Sequence, residues 1–135
     1  MNDLTRRSFI TALCCMVTLS QIGCGKSPEL LSVSGKPIEF WLDALKAANT
    51  DAKQRLKAVH ALSNVGRAHP KAIPALIEAL EQTDPAVRGE VVLALLKIGP
   101  SAKEALAALD RVSQSDKDTQ VRGFAEMAIK AIRGE

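Results

Sequence analysis

The sequence predicts an all-α protein, a short α-solenoid of stacked antiparallel helix pairs. Three observations carry that expectation. The chain repeats itself with a period of 33 to 34 residues, apolar residues recur at helical spacing inside each period, and no β-alternation of useful length is present. Asp51, Asp84 and Asp118 mark the period, and four residues after each comes an arginine: Arg55, Arg88 and Arg122. Counted from the arginine, position +3 is Ala58, Val91 or Ala125, and +6 is Ala61, Ala94 or Ala128. Position +7 is Leu62, Leu95 or Ile129, and +10 is Val65, Ile98 or Ile132. Positions +3, +6, +7 and +10 share one face of a helix, so each copy offers one apolar face to a core.

The pattern assigns each element in turn. Three first helices are expected at about 51–65, 84–98 and 118–133. Each opens on an aspartate suited to accept the first free backbone N–H groups, and Pro85 suits the first helical position after Asp84. Gly66 and Gly99 stand at +11, where a glycine commonly closes a helix; the third copy has Arg133 there and Gly134 one residue later. Second helices are expected at 70–81, on the stripe Ala75, Leu76, Ala79 and Leu80, and at 101–113, on Ala105, Leu106, Leu109 and Val112. Pro100 stops one helix and admits the next. A leading helix near 37–48, with Phe40, Trp41, Ala44 and Leu45, reads as a second helix without its first, and the third copy has no second helix. Phe40 and Trp41 are expected to cover the N-terminal end of the stack. The last helix is expected to turn its apolar side inward and to show Arg122, Glu126, Lys130 and Arg133 to solvent.

Composition excludes several function classes. Of 135 residues, 47% are hydrophobic and only 3% aromatic, and the net charge is +3. Too few rings are present for a base-stacking platform, and the charge is too slight for a nucleic-acid footprint. His60 falls within a helix and His69 in a turn, neither with ligands at metal-binding spacing. No Ser/His/Asp order marks a nucleophile. Gly25-Lys26-Ser27 looks like the tail of a phosphate-binding loop, but the first glycine of that motif would fall at Ser20. The expectation is a non-enzyme without cofactor or metal. The aspartate–arginine pairs recur once per unit, so they are read as serving the unit and not a reaction.

The first residues read as an address. Arg6 and Arg7 precede an uncharged run from Ser8 to Gly25, the charge pattern of an export signal. Thr5-Arg6-Arg7-Ser8-Phe9-Ile10 resembles the twin-arginine export motif. Ile22-Gly23-Cys24 resembles the end of a bacterial lipobox, although Gln21 stands where leucine is usual. That resemblance implies acylation of Cys24 and a protein anchored in the bacterial cell envelope, with Gly25 leaning toward the outer membrane. The expected organisation is therefore 1–23 export signal, 24–36 lipidated cysteine and tether, and 37–135 repeat domain.

Asp84-Pro85-Ala86-Val87-Arg88, followed by Ala94-Leu95-Leu96-Lys97-Ile98-Gly99-Pro100, resembles HEAT repeats. More narrowly, it resembles the HEAT-like repeats of phycobiliprotein lyases. The resemblance covers about 37–135 and implies that each aspartate caps a helix while each arginine reaches to a neighbouring repeat. It also implies an extended concave surface lined by second helices. Candidate protein-contacting residues are then Lys71, Glu78, Glu81, Lys103, Glu104, Asp110 and Arg111, whose mixed signs suit an unidentified protein partner. Two alternatives share the repeat: an accessory protein related to the lyases, and a HEAT-like nucleic-acid binder. Near-neutral charge and the export signal oppose the second.

Overall fold

The computed structural model describes residues 34–135. The expected export signal and Cys24 lie outside the described residues, as does most of the expected tether. Within the described residues the order is α1 (Ile38–Lys46), α2 (Ala52–Val65), α3 (Ala72–Ala79), α4 (Pro85–Ile98), a 3-10 segment (Gly99–Ala105), α5 (Leu106–Ser115) and α6 (Thr119–Arg133). Helices α2, α4 and α6 pack side by side as one layer. Helices α1 and α3 and the 3-10 segment lie in a second layer against it, and α5 packs on α6. These are stacked helix pairs, with α1 in the second-helix layer.

The apolar register determines which face is buried. Ala58, Leu62, Val91, Leu95 and Ala125 are fully buried, and Ile98 and Ile132 nearly so. From the second layer come Ile38, Leu45, Ala72, Leu76, Ala102 and Ala105, and from α5 comes Leu109. Trp41 is buried, and half-buried Phe40 meets it edge-on at a ring separation of 5.1 Å. The Lys36 ammonium sits 3.8 Å over the Phe40 ring. On α6, Val121, Ala125, Ala128, Ile129 and Ile132 face the core, while Glu126, Lys130 and Arg133 face solvent and Arg122 is half-buried.

The second helices depart from their expected bounds. The 70–81 helix is shorter, at Ala72–Ala79, and its apolar stripe continues through Leu80 into a turn. The 101–113 helix is replaced by the 3-10 segment and α5. Gly99 takes φ +69°, Pro100 follows without an N–H to donate, and Ala102 leaves helical geometry at φ −94°, ψ 27°. The tighter segment still places Ala102 and Ala105 in the core.

The glycines at the ends of the first helices also differ in role. Gly99 and Gly134 use positive φ to end their helices. Gly66 stays right-handed at φ −54°. A Cβ there would fall within 2.7 Å of Ile98 Cγ1 and closer still to Cδ1, so it is needed for close approach of α4 and not for its turn.

Gly66 and Gly89 define the side of a first helix that meets the next one. A Cβ on Gly66 would strike Ile98 on α4, and one on Gly89 would touch Val121 and Phe124 on α6. These are positions +11 and +1, and +4 and +8 share their stripe. In α2 the stripe is Leu56, Val59 and Ser63, and in α4 it is Gly89, Val92 and Leu96. Val59 and Val92 are fully buried. In α6 the same stripe is Gly123, Glu126, Lys130 and Arg133, all exposed, with open space over Gly123. A glutamate four residues before a lysine is also the favourable order for a helical ion pair.

Candidate functional site

The repeated aspartates start first helices, but they do so unequally. Asp84 accepts from the Ala86 N–H at 2.9 Å, and Asp118 accepts from Gln120 at 2.8 Å and Val121 at 3.4 Å. Asp51 occupies the same position without a side-chain cap bond.

The repeated arginines turn back over the loop that enters their own helix. Arg55 Nη2 donates to the Ala47 and Ala48 carbonyls at 3.1 and 2.9 Å. Arg88 Nη1 donates to Gln82 and Thr83 at 2.8 and 2.9 Å, and Arg122 Nη1 to Asp116 at 2.7 Å. Each guanidinium thus satisfies carbonyls in a tight connection, where they lack helical partners. Only Arg88 also reaches the next repeat, so the expected inter-repeat ladder is corrected to a set of loop clamps with a single rung. The cause is local: an arginine one turn into a helix lies above the segment that precedes it.

That rung was not legible in the sequence. Arg88 Nε donates to Asp116 Oδ2 and Nη2 to Asp116 Oδ1, both at 2.8 Å, a bidentate pair. The two side chains are 13% and 5% exposed. Asp116 Oδ1 also accepts from the Asp118 N–H at 2.9 Å. Hydrogen bonding from Arg88, with a smaller contribution from the Asp118 N–H, holds the Asp116 carboxyl below the usual range, while burial opposes the shift. The same pairing raises the Arg88 pKa, so it remains charged at any ordinary pH.

This pair lies at the base of an open groove of about 820 Å³. Leu80 to Thr83, at the end of α3 and in the following turn, form one wall. Ala108, Arg111, Val112 and Ser115 of α5 form the other, and Lys117 and Asp118 close one side. Of the sequence-derived contact residues, the structure brings Glu81 and Arg111 to this groove, on opposite walls. Glu78 is instead paired with Lys46 at 2.7 Å. Lys103 and Glu104 are exposed on the 3-10 segment, outside the groove lining. Asp110 lies 3.9 Å from Arg133, and Lys71 is exposed at the start of α3.

The histidines serve local contacts. His69 Nδ1 accepts from the Lys71 N–H at 3.2 Å, and His60 lies 3.7 Å from Glu90 across the α2–α4 boundary. Among the described residues no three His, Cys, Asp or Glu side chains gather as a metal site requires. Among the same residues, no helix is long and apolar enough to cross a membrane.

No curated protein matches this chain. A family model described as HEAT repeats matches residues 38–130, which runs from the first residue of α1 nearly to the end of α6. With its helix pairs stacked in two layers and its aspartate–arginine register opening each first helix, the chain belongs to the HEAT-repeat family.

Proposed function

We propose that this protein is a non-catalytic scaffold that binds another protein while held at the bacterial cell envelope by a lipid on Cys24. The observation that carries the binding role is the groove between the α3 end and α5. It is open, flanked by exposed Glu81 and Arg111, and floored by a charged pair locked in place. Opposite charges on facing walls suit a polypeptide segment carrying both signs. Arg88 and Asp116 commit their donors and acceptors to each other and to loop backbone, so they are committed to architecture and not free to move protons for a substrate.

The anchoring half rests on the sequence alone: Arg6, Arg7 and Phe9 as the export motif, and Cys24 as the acylated residue. Export by the twin-arginine route suits a domain that folds through local contacts before it moves. A tie to phycobiliprotein lyases has only the repeat behind it and adds no ligand to this groove.

Photocrosslinking in intact cells tests the binding role. A crosslinker at Glu81 or Arg111 should trap one defined protein, and the double charge reversal Glu81→Arg with Arg111→Glu should abolish the adduct. A crosslinker at Lys103 that captures the same protein with equal yield would place the interface elsewhere. Mass spectrometry of the mature N-terminus decides Cys24 separately: acylated Cys24 supports the anchor, and an unmodified or uncleaved N-terminus refutes it.

A further inference from the structure

The groove leaves a second surface unassigned: the outer face of the first-helix layer. Two contacts show that this face is continuous from one helix to the next. His60 on α2 approaches Glu90 on α4 at 3.7 Å, and Lys97 on α4 donates to Asn64 on α2 at 2.9 Å. In register these are positions +5, +2 and +9, and position −2 completes the stripe.

Its chemistry changes from helix to helix. On α2 the stripe is Lys53, Lys57, His60 and Asn64, all exposed. On α4 it is Ala86, Glu90, Leu93 and Lys97, and on α6 it is Gln120, Phe124, Met127 and Ala131. Met127, at 49% exposure, is the exposed large hydrophobic residue of the described domain. Leu93 and Phe124 border a depression of mixed polarity between α4 and α6, which Glu90 and Asp118 also line.

The basic part is a sharp local excess in a nearly balanced protein. From Ala52 to Ile77 the chain holds five Lys or Arg and two His, with no Asp or Glu. Within that stretch Lys53, Lys57, Arg67 and Lys71 are exposed. Among the described residues Lys53 and Lys57 make no hydrogen bond or ion pair; the acids at this face are Glu90, which approaches His60, and Asp118, which borders the depression between α4 and α6.

We propose that this face lies on an anionic phospholipid surface. Lysines near accessible apolar side chains are the pairing that interfacial surfaces use, with cations at the headgroups and apolar groups at the acyl boundary. A basic stripe alone would serve any polyanion. The half-buried Leu93 and Phe124 and the exposed Met127, on the neighbouring helices, favour a surface that offers charge and hydrocarbon together. The inference extends the proposed envelope location: the first-helix layer faces lipid and leaves the second-helix groove open to a protein.

The experiment is cosedimentation of the full-length chain with vesicles of phosphatidylcholine alone or mixed with phosphatidylglycerol. Binding to neutral vesicles reports the N-terminal anchor, and the gain on anionic vesicles reports the face, so the two can fail independently. The gain should fall with added salt. Each of Lys53→Gln and Lys57→Gln should reduce it about fivefold, and the pair about 25-fold, for cations held near an anionic surface. Lys103→Gln, on the other layer, should leave it unchanged. Loss of the gain in Lys103→Gln as large as in Lys57→Gln would overturn the proposal. So would full retention in the Lys53→Gln, Lys57→Gln double variant, which is the result expected if the stripe instead binds an acidic protein.

Discussion

The two junctions between first helices are built from the same register, yet they are held differently. At the second junction Arg88 clamps its own loop and also grips Asp116 in the loop ahead. At the first junction Arg55 clamps its loop, but its Nε is buried without a hydrogen-bond partner. The residue two before the capping aspartate explains the difference. It is Asp116 ahead of Asp118 and Gln82 ahead of Asp84. Gln82 turns away, and its Nε2 donates to the Leu45 carbonyl at 3.5 Å. The loop clamp is therefore the common duty of the repeated arginine, and the rung between repeats depends on one additional residue. The same division appears at the caps, where Asp84 and Asp118 bond their helices and Asp51 does not.

The largest way to break this comparison is to remove what both junctions share. Leu95 is fully buried on α4, which packs against both other first helices. Leu95→Ala should cost about 2–5 kcal/mol, a large part of a stability of about 5–15 kcal/mol. Thermal unfolding followed by circular dichroism should show one transition at much lower temperature. Two separate transitions would mean that the repeats unfold independently.

Removing the rung comes next. Asp116→Ala leaves Arg88 half-satisfied and should cost about 2–3 kcal/mol in denaturant unfolding. The Asp116 carboxyl titrates below its unfolded value, so its contribution is present above about pH 4 and is lost as pH falls through the folded value. The difference in melting temperature between the native protein and Asp116→Asn should accordingly narrow as the solution is acidified below pH 4. A constant difference down to pH 2 would contradict the ionic origin of the rung.

Gly66→Ala tests close approach at the first junction. The new methyl group would overlap the Ile98 side chain, and the cost should be about 1–3 kcal/mol. Ile98→Val removes the overlapping Cδ1, so the double variant should recover part of the loss. Losses that merely add would place the strain elsewhere.

The smallest expected effect has the opposite sign. Gln82→Asp offers Arg55 the carboxylate that Asp116 offers Arg88, and it should raise stability by up to about 1 kcal/mol. A lower melting temperature would show that the first junction is too differently spaced for a rung.

These contrasts also divide what the sequence makes legible from what it hides. The first-helix layer was readable because its signals are local and repeated: a capping aspartate, an arginine four residues on, and apolar residues at fixed offsets. The observed starts at Ala52, Pro85 and Thr119 follow directly from those aspartates. The second layer was less legible, because alanine-rich stretches such as 101–109 fit a 3-10 turn or an α-helix equally well until Pro100 and Ala102 are placed in three dimensions. Asp116 escaped notice because its partner lies 28 residues away and the pairing occurs once, so no periodicity marks it. Gly66 stands where the pattern places a helix-ending glycine, but a sequence pattern does not distinguish a glycine needed for its φ from one needed, as here, for its missing Cβ. In the groove, Arg111 follows from its face of α5, whereas Glu81 reaches it from the turn after α3, and the pairing of Glu78 with Lys46 depends on how α1 lies against α3.

The exposed Gly123, Glu126 and Lys130 stripe gives α6 a polar outer edge. A helix pair of this kind recruits its successor through oily positions that water would penalise, and α6 has exchanged those positions for ions. Copies of the protein are thereby discouraged from joining nose to tail into fibres, the standing hazard of any self-complementary stack. The same three sites are where an engineer would begin to graft a fourth unit: Glu126→Val with Lys130→Leu restores the adhesive edge that α4 presents to α6, and any module so attached would inherit the pitch of the two junctions already in place.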